Sequence, residues 1–481
     1  MNRSGKAIKG WRPRAFWVSA ACLALLVATT WTIGIAWSVR RALLNGPQSD
    51  TILSARQKAA VLAIAEFPAM AQASIQRIAR VSPLFLPRSE LERPSWVRRF
   101  PSAEDSGYLL FSGLYKNEST SGVKLIRIAD GKVVASWMPD WPSVLAKTTH
   151  KTFDYTVDAS NAVALNPVLL ANADIVFSTG NASVRLSACG RKPLWVLNET
   201  IHHSTDLDVD GKSFWSPAVS DNELPEDGEL RSRARIDAIA RISLDGELLE
   251  RRSFRQILSD NELTFLLSNG NTAGDFTSDP VHMNQIRVAP ADSRFWKRGD
   301  LLISLRNSNA VLLYRPSTRK IIWHQVGPWQ YQHSADFVND HQISIFNNNV
   351  VSRSPAKADF LTPRSVNEVM VFDFESNQVT QPFKQLLATA QPRTAWEGRA
   401  RLLPDGGLFV EETESGRLLR FSKDRLVWSF VNDHDDKYLG ALAWSSYLTA
   451  EEASKPLEAL AARGCIEGYA PASAESSASR D

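Results

Sequence analysis

The chain of 481 residues has only three cysteines, almost no excess of charge of either sign, and a single long uncharged apolar run. Three cysteines are too few for a disulfide-based scaffold. The 55 basic and 52 acidic residues leave a net charge of +3, so the composition gives no electrostatic reason to expect a nucleic-acid partner. With 44% hydrophobic and 22% charged residues, the chain is not expected to be disordered or fibrous and can bury a large core.

Several common catalytic and binding motifs are also missing from the sequence. There is no Gly-x-x-x-x-Gly-Lys-Ser/Thr loop, so a nucleotide held on such a loop is not expected. The Gly-x-Ser-x-Gly motif of α/β-hydrolases is absent, and no His-x-x-x-His pair or cysteine cluster suggests a metal centre. We therefore expect neither a metal nor a cofactor.

The one apolar run, residues 15–39, is long enough to cross a bilayer as a helix, and Trp17 and Trp37 lie near its ends. Five basic residues and no acidic residue precede it, whereas only Arg40 and Arg41 follow at once. The positive-inside rule then predicts a single-pass signal anchor in the inner (cell) membrane, with the rest of the chain facing the periplasm or exterior. The alternative is a cleaved signal peptide, although the run is longer than a typical apolar signal region. In an oxidising compartment, Cys189 and Cys465 could form a disulfide.

Six segments share one pattern, in which two alternating apolar strands flank a polar turn. They are residues 123–137, 183–197, 239–254, 310–326, 368–383 and 417–431. Repetition of hairpins along one chain predicts an all-β fold, a six-bladed β-propeller, with an N-terminal transmembrane helix and a short helical linker. Trp137, Trp195, Trp323 and Trp428 fall at matching places and are expected to pack between blades. A β-sandwich or two unrelated β domains are the alternative.

The expected domain boundaries follow from this pattern. Residues 1–14 form a cytoplasmic N-terminus, 15–39 the signal anchor, 40–95 a helical linker, 96–465 the propeller, and 466–481 a disordered tail. The linker prediction rests on helical spacing of apolar residues up to Val81, and the tail is polar and rich in small residues.

A second repeated element follows several hairpins and begins with a polar residue. In a propeller, the strand after one outer hairpin is the innermost strand of the next blade, so these residues are expected at one mouth of the axial channel. They are His203, His282, His333 and Glu397. Three interpretations are open for this ring: a metal site, hydrogen-bonded structural histidines, and transfer of a sulfuryl or phosphoryl group through a histidine nucleophile. Arg306, which ends a strand, could hold an oxyanion in the third case.

The stretches IHHSTDLDVDG, DPVHMNQ, GDLLISLRNSNAVLLYRPSTRKIIWHQVG and WQYQHSADF resemble the arylsulfotransferase (aryl-sulfate sulfotransferase) family. That family is a six-bladed propeller which transfers a sulfuryl group from a phenolic sulfate to a phenol without a nucleotide sulfate donor. The motifs span roughly residues 202–349. One departure is Ile345-Phe-Asn-Asn-Asn349, which stands where the family has a Phe-Asp-Asn-Gly-like turn.

The resemblance implies roles for particular residues. His333, in Gln-His, would be the nucleophile that becomes sulfohistidine; Arg306 would bind the sulfate oxygens; and His282 with Asn284 would contact the sulfuryl group or assist proton transfer. His203 would contribute as a further catalytic residue, with His202 as the alternate and a substrate-binding residue. Residues 255–281 precede His282 and are expected to form a loop over the site.

The expected function is therefore a membrane-anchored transferase, and the rival is a non-catalytic propeller scaffold of the cell envelope. The expected partners are a small phenolic sulfate donor, a phenolic acceptor and the membrane, and no nucleic acid. The sequence does not decide the oligomeric state, and a homodimer and a monomer are both compatible with it.

Overall fold

The computed structural model describes residues 13–45, 52–54, 56–57, 60, 82–148, 157–220, 236–267, 279–352, 361–363, 366–395 and 397–466. The chain divides into two compact units, residues 1–81 and residues 82–481. Most of the predicted N-terminus 1–14 and of the predicted tail 466–481 lies outside the described residues. So does much of the predicted linker 40–95.

The first unit contains helix α1 (Pro13–Asn45). Its segment Cys22–Arg40 has 19 residues and a mean hydropathy of 1.8, which is long and apolar enough to cross a membrane. The hydroxyls of Thr29, Thr30 and Thr32 each donate to the carbonyl four residues earlier, at 2.7–2.8 Å. Such internal bonds satisfy polar groups that lipid could not. The helix has the features of a membrane anchor, and an N-terminal signal sequence has the same ones.

The second unit is built from antiparallel strands. Their bounds up to the middle of the chain are β1 (Phe85–Pro87), β2 (Tyr108–Gly113), β3 (Gly122–Arg127), β4 (Val133–Trp137), β5 (Leu165–Leu169), β6 (Ile175–Ser178), β7 (Ser183–Leu186), β8 (Pro193–Leu197), β9 (Asp206–Leu207), β10 (Ser213–Val219), β11 (Asp237–Ser243), β12 (Leu248–Ser253), β13 (Met283–Val288) and β14 (Leu301–Leu305). The later strands are β15 (Ala310–Arg315), β16 (Lys320–Val326), β17 (Ala335–Phe337), β18 (Gln342–Asn347), β19 (Val350–Ser352), β20 (Leu361–Pro363), β21 (Glu368–Asp373), β22 (Gln378–Thr380), β23 (Arg399–Leu402), β24 (Leu408–Glu412), β25 (Arg417–Phe421), β26 (Leu426–Val431), β27 (Tyr438–Gly440) and β28 (Ser446–Leu448).

Twenty-four of these strands form six four-stranded sheets, which confirms the predicted six-bladed β-propeller. The other four form two-stranded sheets, β1 with β27 and β19 with β20. Five blades run through consecutive strands: β5–β8, β9–β12, β13–β16, then β17, β18, β21 and β22, and finally β23–β26. The remaining blade combines β28 from the end of the propeller with β2–β4 from its start, and so closes the ring. All six hairpins predicted from the sequence form the outer two strands of a blade.

The four repeat-matched tryptophans all contact the following blade. Trp137 donates its indole N–H to the carbonyl of Ala173 at 3.2 Å, and Trp195 donates to Leu244 at 2.9 Å. The Trp323 ring lies 5.1 Å from that of Phe372. Trp428 donates to Asp105 at 2.7 Å, at the junction where the ring closes. The four tryptophans therefore pack between blades, as the sequence predicts, and Trp137, Trp195 and Trp428 also donate their N–H to the following blade.

Short helices fill the periphery: α2 (Arg88–Leu91), α3 (Trp141–Leu145), α4 (Phe254–Asp260), α5 (Lys384–Ala390) and α6 (Ala450–Ala462), with 3₁₀ turns at Thr264–Leu267 and Thr413–Ser415. Helix α4 begins where Ser253 accepts a hydrogen bond from the Gln256 amide, and its Phe254 is buried. The segment 255–281 thus starts as a packed helix rather than as a loop, while residues 268–278 lie outside the described part of the chain.

A disulfide joins Cys189 and Cys465, whose Cα atoms are 6.0 Å apart. It ties the segment just after α6 to the turn between β7 and β8, across a sequence separation of 276 residues. Leu457 and Leu460 of α6 pack in the same core as the first two blades. Both contacts hold the C-terminal segment against the propeller.

Candidate active site

Four residues predicted to ring the axial channel come just before the first strands of four consecutive blades. They are His203 before β9, His282 before β13, His333 before β17 and Glu397 before β23. The His203 and His282 rings are 5.1 Å apart between centres, and Trp444, just before β28, lies 6.2 Å from His203 and 6.4 Å from His333. The structure therefore brings the three histidines together around Trp444 at one end of the propeller axis.

His333 is fully buried, and its surroundings fix which ring nitrogen carries the proton. Its Nδ1 lies 2.8 Å from Asn348 Oδ1 and 3.2 Å from the carbonyl oxygen of Tyr331. The amide nitrogen of Asn348 donates to the carbonyls of Thr394 at 3.0 Å and Glu397 at 2.7 Å, so the amide oxygen must face His333. Both neighbours of Nδ1 are acceptors, which places the ring proton on Nδ1 and makes Nε2 the basic, nucleophilic nitrogen.

His202 and His203 are neighbours in sequence and are bonded through their rings. His202 Nδ1 lies 2.7 Å from His203 Nδ1, and His202 Nε2 lies 3.3 Å from a carboxylate oxygen of Asp237. His202 is 5% exposed and Asp237 is 1% exposed, whereas His203 is half-buried beside the other histidines. His203, which the sequence analysis prefers as the catalytic member of the pair, thus lies among the other histidines. His202, the alternate, lies behind it.

His282 is oriented by a carboxylate from its own loop. Its Nδ1 is bonded to Asp279, whose backbone carbonyl accepts a hydrogen bond from the Asn307 amide at 2.6 Å. This Asp–His arrangement fixes the ring so that Nε2 faces away from the carboxylate. Asn284, two residues on, is fully buried and donates to the carbonyl of Gln332 at 3.2 Å. Its position links the His282 loop to the residue before His333.

Arg306 directly follows β14 and is held close to His282. Its backbone N–H donates to the His282 carbonyl at 3.1 Å, and its Nε donates to the Asn307 side chain at 3.1 Å. The guanidinium lies 5.8 Å from the Tyr331 ring centre, a cation–π geometry. A cation with a planar fork of donors beside three histidines suits a bound oxyanion.

Glu397 is surrounded by other carboxylates. Burial first, then the negative charges of Glu414 and Glu411, raises the pKa of Glu397 to about 8, while Arg306 acts in the opposite direction. Glu411 accepts backbone hydrogen bonds from Trp444 and Ser445 and lies at the same end of the axis. The Glu397 carboxyl is therefore mostly neutral at pH 7 and could exchange a proton there.

Trp444 was not singled out by the sequence. Its backbone has φ of 62°, and His203 and His282 have φ of 56° and 50°. Such left-handed conformations cost bulky residues about 1–3 kcal/mol each and concentrate at functional sites. Arg399, 5% exposed, lies 5.7 Å from the Trp444 ring, and burial followed by repulsion from Arg287 lowers its pKa to about 10.

A cavity of about 780 Å³ lies along the propeller axis, and none of the histidines lines it. Its walls are the first strands of all six blades, with Arg399, Arg287, Asp206 and Asp336 among the lining residues. Arg287 bridges Asp206 at 2.6 Å and Asp336 at 3.0 Å across neighbouring blades. This ionic belt stabilises the channel wall.

The other described histidines lie away from this site. His341 is bonded to Asp340, which raises its pKa, and His434 bonds the Glu118 carbonyl at 2.9 Å. Within the described part of the chain, no three His, Cys, Asp or Glu side chains are grouped as a metal ion would need. The three histidines at the site instead converge with an arginine.

Comparison with solved structures returns other proteins at low similarity. A Bacteroides caccae protein of unknown function is 12% identical, with 72% of this chain and 99% of that chain covered and a TM-score of 0.42. The periplasmic gluconolactonase PpgL of Pseudomonas aeruginosa is 16% identical, with 72% and 99% covered and a TM-score of 0.37. The Pan2 WD40 domain of Neurospora crassa is 10% identical, with 69% and 81% covered and a TM-score of 0.35.

None of the curated proteins matches the chain. The model of one protein family does match it, over residues 196–433, and that family is described as arylsulfotransferase (ASST). The matched region includes His202, His203, His282, Arg306 and His333. The chain therefore carries a domain of the arylsulfotransferase family on a six-bladed β-propeller.

Proposed function

We propose that this protein is a membrane-anchored arylsulfotransferase that moves a sulfuryl group from a phenolic sulfate to a phenol by way of His333. The observation that carries the proposal is the hydrogen bond that His333 Nδ1–H donates to Asn348 Oδ1, at 2.8 Å, which leaves Nε2 as the nucleophilic nitrogen. In the first half-reaction, Nε2 attacks the sulfur, the S–O bond breaks and the donor phenolate leaves. In the second, the acceptor oxygen attacks the sulfur and the S–N bond breaks, which restores the imidazole.

The sulfuryl oxygens carry negative charge throughout both half-reactions, and the groups around His333 suit that charge. Arg306 would bind them with its guanidinium fork, and the imidazole of His282, polarised by Asp279, would donate to another oxygen. The amide N–H₂ of Asn284 donates to the Gln332 carbonyl, and its second hydrogen would donate to a sulfuryl oxygen. The proposed reaction uses no nucleotide sulfate donor and no cofactor.

Membrane anchoring is part of the same proposal. The apolar helix segment Cys22–Arg40 would cross the inner membrane and leave the propeller on the periplasmic or outer face. The disulfide between Cys189 and Cys465 supports this orientation, because disulfides persist in oxidising compartments. The donor and acceptor phenols would then be small molecules outside the cytoplasm.

A burst experiment tests the proposal. The full chain in detergent is mixed with 4-nitrophenyl sulfate and no acceptor, and the released phenol and the protein mass are followed. We expect about one phenol per site and a sulfuryl adduct on the peptide that contains His333. His333→Asn should lose both signals, whereas His341→Gln, a histidine beside an aspartate away from the axis, should keep both.

The other outcomes separate the alternatives. An adduct on His203 or His282 would keep the transferase and move the nucleophile. A folded protein that shows no burst with any phenolic sulfate would refute the proposal and favour the non-catalytic scaffold.

A further inference from the structure

Behind the site, three side chains in mutual contact form a line that leads from the reacting groups to a buried carboxylate. Asp237 Oδ1 lies 3.3 Å from His202 Nε2, and His202 Nδ1 lies 2.7 Å from His203 Nδ1. The His203 ring continues the line towards the site, at 5.1 Å from His282 and 6.2 Å from Trp444. Only the outermost member, His203, lies at the site.

The hydrogen-bond partners determine the tautomers along this line. Besides Asp237, the His202 Nε2 faces the carbonyl oxygen of Ala218 at 3.3 Å, so both of its neighbours are acceptors and Nε2 carries a proton. In the neutral pair, His202 Nδ1 must then accept from His203 Nδ1–H. The remaining nitrogen, His203 Nε2, is therefore the base.

We propose that Asp237, His202 and His203 form a proton relay that serves the sulfuryl transfer, a proposal that rests on the function proposed above. His203 is the group that gives a proton to the departing phenolate and takes one from the incoming phenol. His202 and Asp237 are positioning residues, since they act only through His203.

Over the two half-reactions the relay gives up one proton and takes one back. In the charged form, His202 carries protons on both nitrogens and His203 carries one on Nε2. As the S–O bond of the donor breaks, His203 Nε2–H protonates the phenolate, and His202 Nδ1–H moves to His203 Nδ1. In the second half-reaction, the acceptor O–H protonates His203 Nε2, the Nδ1 proton returns to His202, and the S–N pair returns to His333.

The buried carboxylate makes the charged form accessible. When the pair takes up a proton, the positive charge lies on His202, in direct contact with Asp237, whose side chain is buried. Asp237 also accepts the backbone N–H of Met283 at 2.5 Å, and this bond fixes the carboxylate in place. An opposite charge at this distance stabilises an imidazolium that the interior would otherwise reject.

His282 is less suited to the same role. Its Nδ1 is bonded directly to Asp279 with no second ring behind it, so a proton taken up by His282 would stay beside the sulfuryl group. A positive charge that stays on His282 favours constant binding of an anion. In the two-ring relay, by contrast, the positive charge appears and disappears as the proton is taken up and released. The ionisable groups that face the relay include Asp237, His282 with Asp279, and, around Trp444, His333 and Arg399.

The test compares two donors in single-turnover loading of the full-length protein. A 4-nitrophenolate leaves without a proton, whereas the phenolate of phenyl sulfate needs one as the S–O bond breaks. For Asp237→Asn and His202→Gln, we expect loading from phenyl sulfate to fall about a hundredfold and loading from 4-nitrophenyl sulfate to fall less than about threefold. Asp237→Asn keeps an oxygen for the Met283 N–H, and His341→Gln is the matched control.

Two results would overturn the relay. Equal losses with the two donors would show that these residues only support the fold, and unchanged loading of phenyl sulfate would show that they are not needed.

A second experiment requires neither a variant nor an assay of sulfuryl transfer. Nitrogen-15 spectra of the wild-type imidazoles should show the Nε2–H tautomer for His202 and the Nδ1–H tautomer for His203, and one protonation event should shift both rings together. Independent protonation of the two rings would refute the relay even in an active enzyme. A wild-type protein that shows the shared proton but never transfers a sulfuryl group would refute the proposed function and with it the relay's catalytic role.

Discussion

The guanidinium of Arg306 lies 5.8 Å from the centre of the Tyr331 ring, and the carbonyl of Tyr331 in turn contacts Nδ1 of His333. The proposed oxyanion ligand and the proposed nucleophile are thus connected through one residue. Arg306→Lys keeps the charge but loses the planar fork, so we expect transfer to fall about tenfold to a thousandfold with the fold retained. Steady-state rates with 4-nitrophenyl sulfate and a phenol would measure the loss. Full activity in Arg306→Ala would contradict the role given to Arg306.

Asn348 orients the proposed nucleophile His333, so its loss should slow formation of the covalent adduct. Asn348→Ala removes the nearer acceptor for His333 Nδ1–H and the donor to Thr394 and Glu397, so the imidazole is held only by the Tyr331 carbonyl and is less firmly oriented. We expect formation of the covalent adduct to slow about tenfold to a hundredfold. Rapid-quench mass spectrometry of the His333 peptide would give the rate. Asn339→Ala, in an exposed turn, is the control, and equal adduct rates in the two variants would refute the orienting role.

The raised pKa of Glu397 predicts a specific dependence of stability on pH. The folded protein holds this proton up to about pH 8, while the unfolded chain releases it near the ordinary value of 4.5. Between these limits the folded state binds more protons, so the free energy of unfolding should decrease as pH rises through this window and level off above it. Glu397→Gln stays neutral and should lose this contribution. Thermal unfolding from pH 5 to 9 would measure it, with exposed Glu458→Gln as the control. Parallel curves for wild type and Glu397→Gln would contradict the prediction.

The disulfide should contribute measurably to stability because it closes a very long loop. Cys465→Ser should lower the free energy of unfolding by about 2–4 kcal/mol. Urea unfolding with and without a reductant would measure it, and the reductant should affect the wild type but not the variant. Cys22→Ser is the matched control, since Cys22 is a free cysteine. A wild type that is insensitive to reductant would contradict the prediction.

The orientation in the membrane can be tested without any assay of transfer. A reporter that is active only outside the cytoplasm, fused after Asp481, should be active, because the basic residues before the apolar run retain the N-terminus inside. Reversing the charge of Arg12 and Arg14 to glutamate should reduce the active fraction. Cytoplasmic activity of a complementary reporter at the same position would overturn the proposed orientation.

The outer hairpins could be predicted from the sequence because their information is local. In residues 310–326, for example, alternation and a polar turn specify a hairpin without reference to any other part of the chain. The first strands are harder, because β9 has two residues and β17 has three, too few to show a period. Their positions follow only from the hairpins that flank them. Helix α4 was missed because its seven residues are too few to show helical periodicity.

The repeats also predict which residues lie at the same end of the propeller axis, because equivalent residues of successive blades occupy equivalent positions along it. The residues placed in this way are His203, His282, His333 and Arg306. The residues that orient them could not be anticipated in the same way. Asp237 begins β11, whereas His202 precedes β9, so the two meet only through the tertiary fold. Trp444 lies far along the chain from the histidines. Asn348 and Asp279 were within the quoted motifs, and a search for hydrogen-bond partners beside each histidine could have found them.

The closure of the propeller sets the order in which the site can be assembled. Because β28 completes the blade that β2 begins, Trp444 reaches the histidines only after the last blade strand has joined the first. A chain that is still emerging, or one cut before residue 444, would hold every proposed catalytic histidine and yet lack the wall that they face. Activity would therefore appear late, as a property of the finished ring rather than of its blades.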